Sequence, residues 1–245
     1  MKDSDYRAMK LTRRAWLGTL AALPLAAAEF WERKEYPTWT GNEVEKMLTN
    51  SPWAQSFDIS FRLDPFQRGP ETWKDISLTK DRSTVEGGSP VGGIGVPPRG
   101  AKAEAYMVIR WSSALPVRQA VVIDRFGVAG LRSPEAREIL DETPKFYVVE
   151  IFGVPAIVAY QGAAVIQDEI FRTAALVTHS GRVLRPESVY VPVHGEHLSI
   201  TARFPRTAPL TLEDKQVDFQ GRGGPFEFHQ RFKLKSMMYE GRLEL

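Results

Sequence analysis

The second half of the chain alternates apolar and polar residues with a period of two, and no other feature of the sequence constrains the fold as strongly. Because successive side chains of a β-strand point to opposite faces, this alternation predicts strands with one buried and one solvated face. Strands of that kind are typical of antiparallel sheets. The alternation is clearest in three segments: 198–204, 226–234 and 239–245.

Shorter patterns predict additional strands. Residues 169–178 are expected to form the first arm of a hairpin, with a turn at Ser180-Gly181 and a second arm that starts at Val183. Three more segments are predicted as strands from their apolar content or alternation: 57–63, 105–111 and 146–152.

Capping residues mark short helices between these strands. Thr40 and Glu43 have the spacing of a capping box, and apolar residues follow them at helical spacing. Two more helices are predicted, one at 116–127 and one that begins after Ser133. The predicted fold class is therefore α+β: a β-rich, largely antiparallel sheet with a few short helices packed on one face.

The first 28 residues have the features of an export signal. Basic side chains precede an apolar run of about 14 residues, which is too short to cross a bilayer as a helix and ends in alanines suited to cleavage. The pair Arg13-Arg14 predicts the twin-arginine route. A general secretory signal that happens to contain this pair, or an uncleaved anchor, is the alternative. We expect a periplasmic or secreted protein that meets the membrane only through its signal peptide, during export.

Composition after the leader divides the chain further. Glycine and proline are concentrated in one long stretch, where they prevent a regular element from continuing. The expected organisation has four parts: a twin-arginine signal peptide at 1–28, an N-terminal helix and strand packing on the main domain at 29–63, a Gly/Pro-rich flexible loop at 64–102, and the α+β main domain at 103–245.

The charge balance gives no sign of a nucleic-acid partner. The chain has 32 basic and 30 acidic residues, and five of the basic and two of the acidic residues lie in the leader. The remainder is close to neutral, so the overall excess of positive charge belongs to the export signal. We therefore predict that the protein does not bind nucleic acid.

Cysteine is absent, which removes several classes of site. Disulfides, thiolate zinc sites, iron-sulfur clusters and a cysteine nucleophile are excluded. Ser89 follows Gly88 in a segment that superficially resembles a nucleophile elbow, but the glycine spacing is wrong and the next residue is Pro90, which has no N–H to donate to an oxyanion. The glycine-rich segment 91–98 lacks the spacing of a phosphate-binding loop. No catalytic residue and no cofactor is predicted.

The segment His194-Gly195-Glu196-His197 contains the only histidines that are close in sequence. A metal-dependent hydrolase would need both imidazoles and a further ligand around one ion, and the glycine places this segment in a loop entering a strand. His194, Glu196 and His197 are thus weak candidates for a metal site. Solvated surface histidines are the simpler interpretation.

Two tryptophans near the start of the mature chain, Trp39 and Trp53, are candidates for ligand binding. Exposed indoles of an exported protein can stack on sugar rings or anchor a partner surface. The alternative is that they clamp the short predicted helix onto the sheet. Solvent exposure distinguishes the two interpretations.

Four sequence blocks resemble those of a family of uncharacterised exported proteins found in soil bacteria. The resemblance implies export and a single shared fold, and it carries over no catalytic residue. The C-terminal block is the most specific of the four, which span 39–54, 109–120, 204–215 and 232–245 (WTGNEVEKMLTNSPWA, IRWSSALPVRQA, FPRTAPLTLEDK and FKLKSMMYEGRLEL).

These observations favour a non-enzymatic protein of the cell envelope that binds a ligand or a partner, either a glycan or another envelope protein. The alternative is an envelope hydrolase that uses His194, Glu196 and His197 around a metal, or an unrecognised pair of carboxylates. A purely structural role in a larger envelope assembly is a third hypothesis.

Overall fold

The computed structural model describes residues 29–63, 77–79, 101–159, 162–224 and 226–245. The predicted export signal, with Arg13 and Arg14, lies outside the described residues. So does most of the predicted Gly/Pro-rich loop.

Strands and short helices make up the described part of the chain, and the predicted α+β class is confirmed. The α-helices are α1 (Phe30–Arg33), α2 (Gly41–Thr49), α3 (Leu115–Phe126), α4 (Pro134–Asp141) and α5 (Ala163–Thr173). The strands are β1 (Asn50–Ser51), β2 (Ala54–Leu63), β3 (Ser77–Thr79), β4 (Ala101–Trp111), β5 (Phe146–Pro155), β6 (Ala175–Thr178), β7 (Val183–Leu184), β8 (Ser188–Tyr190), β9 (Val193–His194), β10 (His197–Pro205), β11 (Gln216–Gly223), β12 (Phe226–Lys233), β13 (Met238–Tyr239) and β14 (Arg242–Leu243).

The strands form two antiparallel sheets and one small hairpin. The main sheet has the order β1-β2-β4-β5-β10-β8, with β3 added to β2 and β9 added to β10. The second sheet has the order β12-β11-β6-β7. Among the described residues, strands β13 and β14 pair with each other and with no other strand.

The core lies between the two sheets, where the apolar faces of the alternating strands meet. The ring of Trp111 on β4 contacts Phe232 on β12, with centroids 5.2 Å apart. Phe204 on β10 and Phe219 on β11 are 6.1 Å apart. Both pairs have the edge-to-face geometry that aromatic rings prefer. The alternation in the sequence therefore places one face of the main sheet in the core and the other away from the second sheet.

The predicted capping residues are observed at their helices. In α2 the side chain of Thr40 accepts from the Glu43 N–H, while the Glu43 carboxylate accepts from the Thr40 N–H at 2.9 Å. Ser133 caps α4 through the N–H of Ala136 at 3.1 Å. Each cap satisfies a donor that the first helical turn would otherwise leave unpaired.

The strand predicted at 169–178 is wrong over its first half, because α5 occupies that part of the sequence. Ile166 and Ile170 lie one helical turn apart and are both buried, so the helix covers the core with a single apolar stripe. The strand proper, β6, starts at Ala175. It pairs with β7 across the predicted turn, in which Gly181 has a φ of +85°.

The C-terminal hairpin is fixed to the first half of the chain by buried hydrogen bonds. The indole N–H of Trp53 donates to the carbonyl of Glu244 at 2.8 Å, and the Tyr239 hydroxyl donates to Oε1 of Gln119 at 2.8 Å. Side chains from both ends of the described chain therefore belong to one hydrophobic core.

Candidate functional site

The face of the main sheet that points away from the core carries a row of directly opposed polar side chains. Arg110 on β4 is paired with Glu150 on β5, Glu150 with Thr201 on β10, and Thr201 with Tyr190 on β8. Because directly paired residues of antiparallel strands lie on the same face, these four side chains form one line across four strands. We call this surface the outer face.

Glu150 is the centre of a hydrogen-bond network on the outer face. Thr201 Oγ1 donates to one carboxylate oxygen of Glu150 at 3.1 Å, and the Ser112 hydroxyl donates to the other. Arg110 Nη2 lies 3.7 Å from the same second oxygen, and Arg110 Nε donates to the Ser112 hydroxyl at 3.4 Å. Each carboxylate oxygen thus has a partner, and the network joins β4, β5 and β10.

Burial makes the pairing of Arg110 important. Its side chain is 14% exposed and that of Glu150 is 22% exposed. Loss of water lowers the pKa of Arg110, while the negative charges of Glu150 and of Asp124 oppose that shift. The guanidinium also lies 4.3 Å from the ring centre of Phe152, a neighbouring outer-face residue on β5. Arg110 is therefore held in place from two sides.

Aromatic rings at exposed positions lie beside this network. Tyr190 is 51% exposed and Tyr106, on β4, is 47% exposed. The guanidinium of Arg203 lies 5.3 Å from the ring centre of Tyr190. Large exposed rings next to fixed polar groups are common at binding surfaces, since they offer contact area at low entropic cost.

A glycine lets β5 approach β4 closely beside Tyr106. The pairing of β10 with β5 shifts register here, which is the mark of a β-bulge. Gly153 has a φ of +76°, and a Cβ at this position would lie 2.1 Å from the carbonyl oxygen of Tyr106. Only glycine fits this approach. The bulge fixes how Phe152 and Tyr106 are placed next to the polar row.

The hydrogen bonds of the outer face determine which groups it presents to a ligand. The Ser112 hydroxyl donates to a carboxylate, and both oxygens of Glu150 accept hydrogen bonds. What the surface offers a ligand is a set of donors, a hydrogen-bonded carboxylate and aromatic rings.

The histidine segment forms the tip of an exposed hairpin. His194 on β9 and His197 on β10 are directly paired, and Gly195 in the turn between them has a φ of +60°. His194, Glu196 and His197 are all exposed. Within the described ranges, no group of three or more histidine, aspartate or glutamate side chains could hold a metal ion. A catalytic zinc site usually has three protein ligands, so this hairpin alone does not form one.

Trp39 and Trp53 do not offer ring faces to a ligand, contrary to the stacking hypothesis. Trp39 is 3% exposed and Trp53 is 0% exposed. The Trp39 indole donates to the Lys34 carbonyl at 3.3 Å and its ring contacts Phe30, with centroids 5.3 Å apart. Packing is the physical reason, because both indole rings belong to the hydrophobic core.

The outer face is the part of the molecule that sequence reasoning missed. The alternation in β10 shows that Thr201 and Arg203 share a solvated face, and this signal was available. It does not show which strands are neighbours. Only the strand order brings Glu150 and Arg110 alongside Thr201.

Comparisons with known proteins found no match among family models, curated proteins or solved structures. In the described part of the chain, no helix has the length and apolar character needed to span a membrane.

Proposed function

We propose that this chain is an exported protein of the cell envelope that binds a ligand or partner on the outer face of its main sheet and does not catalyse a reaction. The observation that supports binding is the combination of exposed Tyr106 and Tyr190 with the hydrogen-bonded row from Arg110 to Thr201. A rigid polar centre with aromatic rings at its border is an arrangement that orients a polar ligand.

Rigidity of the outer face supports this proposal. The side chains of the row are held by hydrogen bonds to neighbouring strands, so they lose little freedom when a ligand binds. The strands that carry them are part of a sheet whose other face is packed in the core. Sites on sheets are positioned more accurately than sites on loops.

Export is supported by the leader alone. The Arg13-Arg14 pair, the short apolar run and the terminal alanines are the features of a twin-arginine signal peptide. The resulting location is periplasmic or extracellular, and the candidate partners are those of that compartment, a glycan or another envelope protein. Replacing both arginines by lysine is expected to leave the precursor in the cytoplasm, and normal secretion of that variant would contradict the export proposal.

Site-specific photo-cross-linking in the producing cells tests the binding surface. A photoreactive residue is placed at position 106 or 190 of the full chain, and at position 171 as a control, because Phe171 on α5 is 46% exposed but lies outside the outer face. We expect larger adducts from positions 106 and 190 and none of the same adducts from position 171. Absence of adducts at 106 and 190, or equal adducts at 171, would overturn the proposal.

A further inference from the structure

The outer face has an exposed arginine, Arg203, next to Tyr190. Arg110 is balanced by Glu150, but Arg203 is exposed, and among the described residues no carboxylate lies within 4.0 Å of its guanidinium. Glu187 lies next to Arg203, because the Glu187 backbone N–H donates to the Arg203 carbonyl at 2.7 Å. Its carboxylate is not an ion-pair partner. On the described strands β5, β8 and β10, Arg203 is therefore an outer-face cation without a carboxylate partner among the described residues.

The position of Arg203 suits recognition of a planar anion. A guanidinium offers parallel N–H groups that match the two oxygens of a carboxylate. Arg203 lies beside the Tyr190 ring and is paired across the sheet with Ser188. A carboxylate at this point would have a charged donor, a hydroxyl and an aromatic ring within one small area.

The aromatic rings are spaced for an extended ligand. Tyr190 and Phe152 are separated by two strand spacings and two residues, which corresponds to about 12 Å in a regular sheet. Tyr190 and Tyr106 are separated by three strand spacings and four residues, or about 20 Å. A single small molecule cannot reach both ends of such a surface, whereas a polymer whose units have apolar ring faces can.

We propose that the ligand of the outer face is an acidic polysaccharide, with a sugar carboxylate on Arg203 and a sugar ring against Tyr190. This inference rests on the binding function proposed above and names the ligand class. A nucleic acid is a poorer fit, because binding its phosphates requires many cations along one track, and Arg203 is the one lysine or arginine on the described strands β5, β8 and β10. Sugars supply both the ring faces and the hydroxyls that the polar row can bind.

Affinity electrophoresis and calorimetry of the full chain with polygalacturonate test the proposal. The matched probe is the methyl-esterified polymer, which has the same sugar rings without the negative charge. We expect the acidic polymer to bind at least about tenfold more tightly than its ester, since a charge-assisted hydrogen bond distinguishes them. We also expect this preference to weaken as salt is raised.

Variants of Arg203 and Tyr190 assign the two parts of the site. Arg203→Gln is expected to remove the preference for the acidic polymer, with Arg203→Lys intermediate, while Tyr190→Ala weakens binding of both polymers. Phe171→Ala is the matched control and is expected to bind like the wild type. Because Arg203 and Tyr190 are exposed, these variants should keep the thermal stability of the wild type.

The outcomes separate this inference from the proposed function. Equal binding of the acidic and esterified polymers, or a loss with Arg203→Gln that is the same for both, would overturn the acidic-ligand inference. Failure of both polymers to bind would overturn it too. In either case cross-linking at positions 106 and 190 would still support the binding function, and absence of cross-linking there would overturn that function separately.

Discussion

Two aromatic regions of this molecule have opposite surroundings. In the turn between β1 and β2, Trp53 is 0% exposed, its indole N–H donates to the Glu244 carbonyl, and the centre of its ring lies 6.4 Å from that of Tyr239. On the outer face, Tyr106 and Tyr190 are about half exposed. The first region is part of the hydrophobic core, and the second is the surface proposed to bind a ligand. Residue type alone does not distinguish these roles, because the surroundings of each ring determine which role it has.

The largest expected effect is on the buried side of this comparison. Trp53→Ala removes a large side chain from the core and leaves the Glu244 carbonyl without its donor. The free energy of unfolding should fall by about 3 to 5 kcal/mol. Chemical denaturation measures this, with the milder Trp53→Phe variant in case the alanine variant does not fold.

Tyr190→Ala is the matched exposed substitution. Its expected effect on the free energy of unfolding is at most about 1 kcal/mol, because about half of the side chain is exposed. If Tyr190→Ala destabilised the protein as much as Trp53→Ala, the distinction between a stabilising and a binding region would be lost.

The second largest expected effect on stability concerns the polar row on the outer face, beside the exposed rings. Glu150→Ala leaves Arg110 half-buried without its carboxylate, and it removes the acceptor of Thr201 and Ser112. We expect a loss of about 2 kcal/mol in the free energy of unfolding, less than for a fully buried pair because both side chains keep some exposure.

A double-mutant cycle with Arg110→Met checks this interpretation of the Glu150 effect. The Arg110→Met variant removes the buried charge, so the additional cost of Glu150→Ala in that background should be smaller than in the wild type. Strict additivity would mean that Arg110 and Glu150 are not coupled, and the row would not be one rigid unit.

Much of the fold was predictable from local patterns. The capping box at Thr40 and Glu43 and the alternation over 198–204 depend on neighbours in sequence, and each appears where expected. The strand predicted at 169–178 failed because the apolar stripe of α5 starts before residue 169, at Ile166, and repeats one helical turn later at Ile170. A pattern read from the wrong starting residue gives the wrong element.

The candidate site could not be predicted in the same way. Its central contacts join Glu150 to Thr201 and Ser112, residues far apart in sequence that are brought together only by the strand order. The burial of Trp39, by contrast, involves residues near it in sequence, since its ring contacts Phe30 and Tyr36 and its indole N–H donates to the Lys34 carbonyl. Sequence periodicity assigns faces to strands, and tertiary structure decides which faces meet.

The third effect is the loss of a single buried hydrogen bond. Tyr239→Phe removes the hydroxyl that donates to Gln119, and it leaves the Gln119 amide oxygen buried without that partner. Burial raises the pKa of Tyr239 well above its usual range, so the hydroxyl stays protonated and donates at any ordinary pH. We expect a loss of about 1 to 2 kcal/mol. The companion variant Gln119→Leu with Tyr239→Phe should recover part of it in thermal denaturation, and an unchanged melting temperature in Tyr239→Phe would show that the bond contributes nothing.

The smallest expected effect on stability is electrostatic and concerns the N-terminal cap of α2. The side chain of Lys34 donates to Glu43 at 2.6 Å, and this bond together with the Thr40 N–H holds the pKa of Glu43 below its usual value. A carboxyl with a lowered pKa in the folded state contributes stability above its unfolded pKa, and that contribution is lost as pH falls through the folded value.

Glu43→Gln keeps the capping hydrogen bonds but removes the charge. The stability difference between wild type and Glu43→Gln should therefore be constant near neutral pH and shrink below about pH 4.5. A difference that persisted unchanged into acid would mean that the charge of Glu43 does not contribute, and that the cap works by its hydrogen bonds alone.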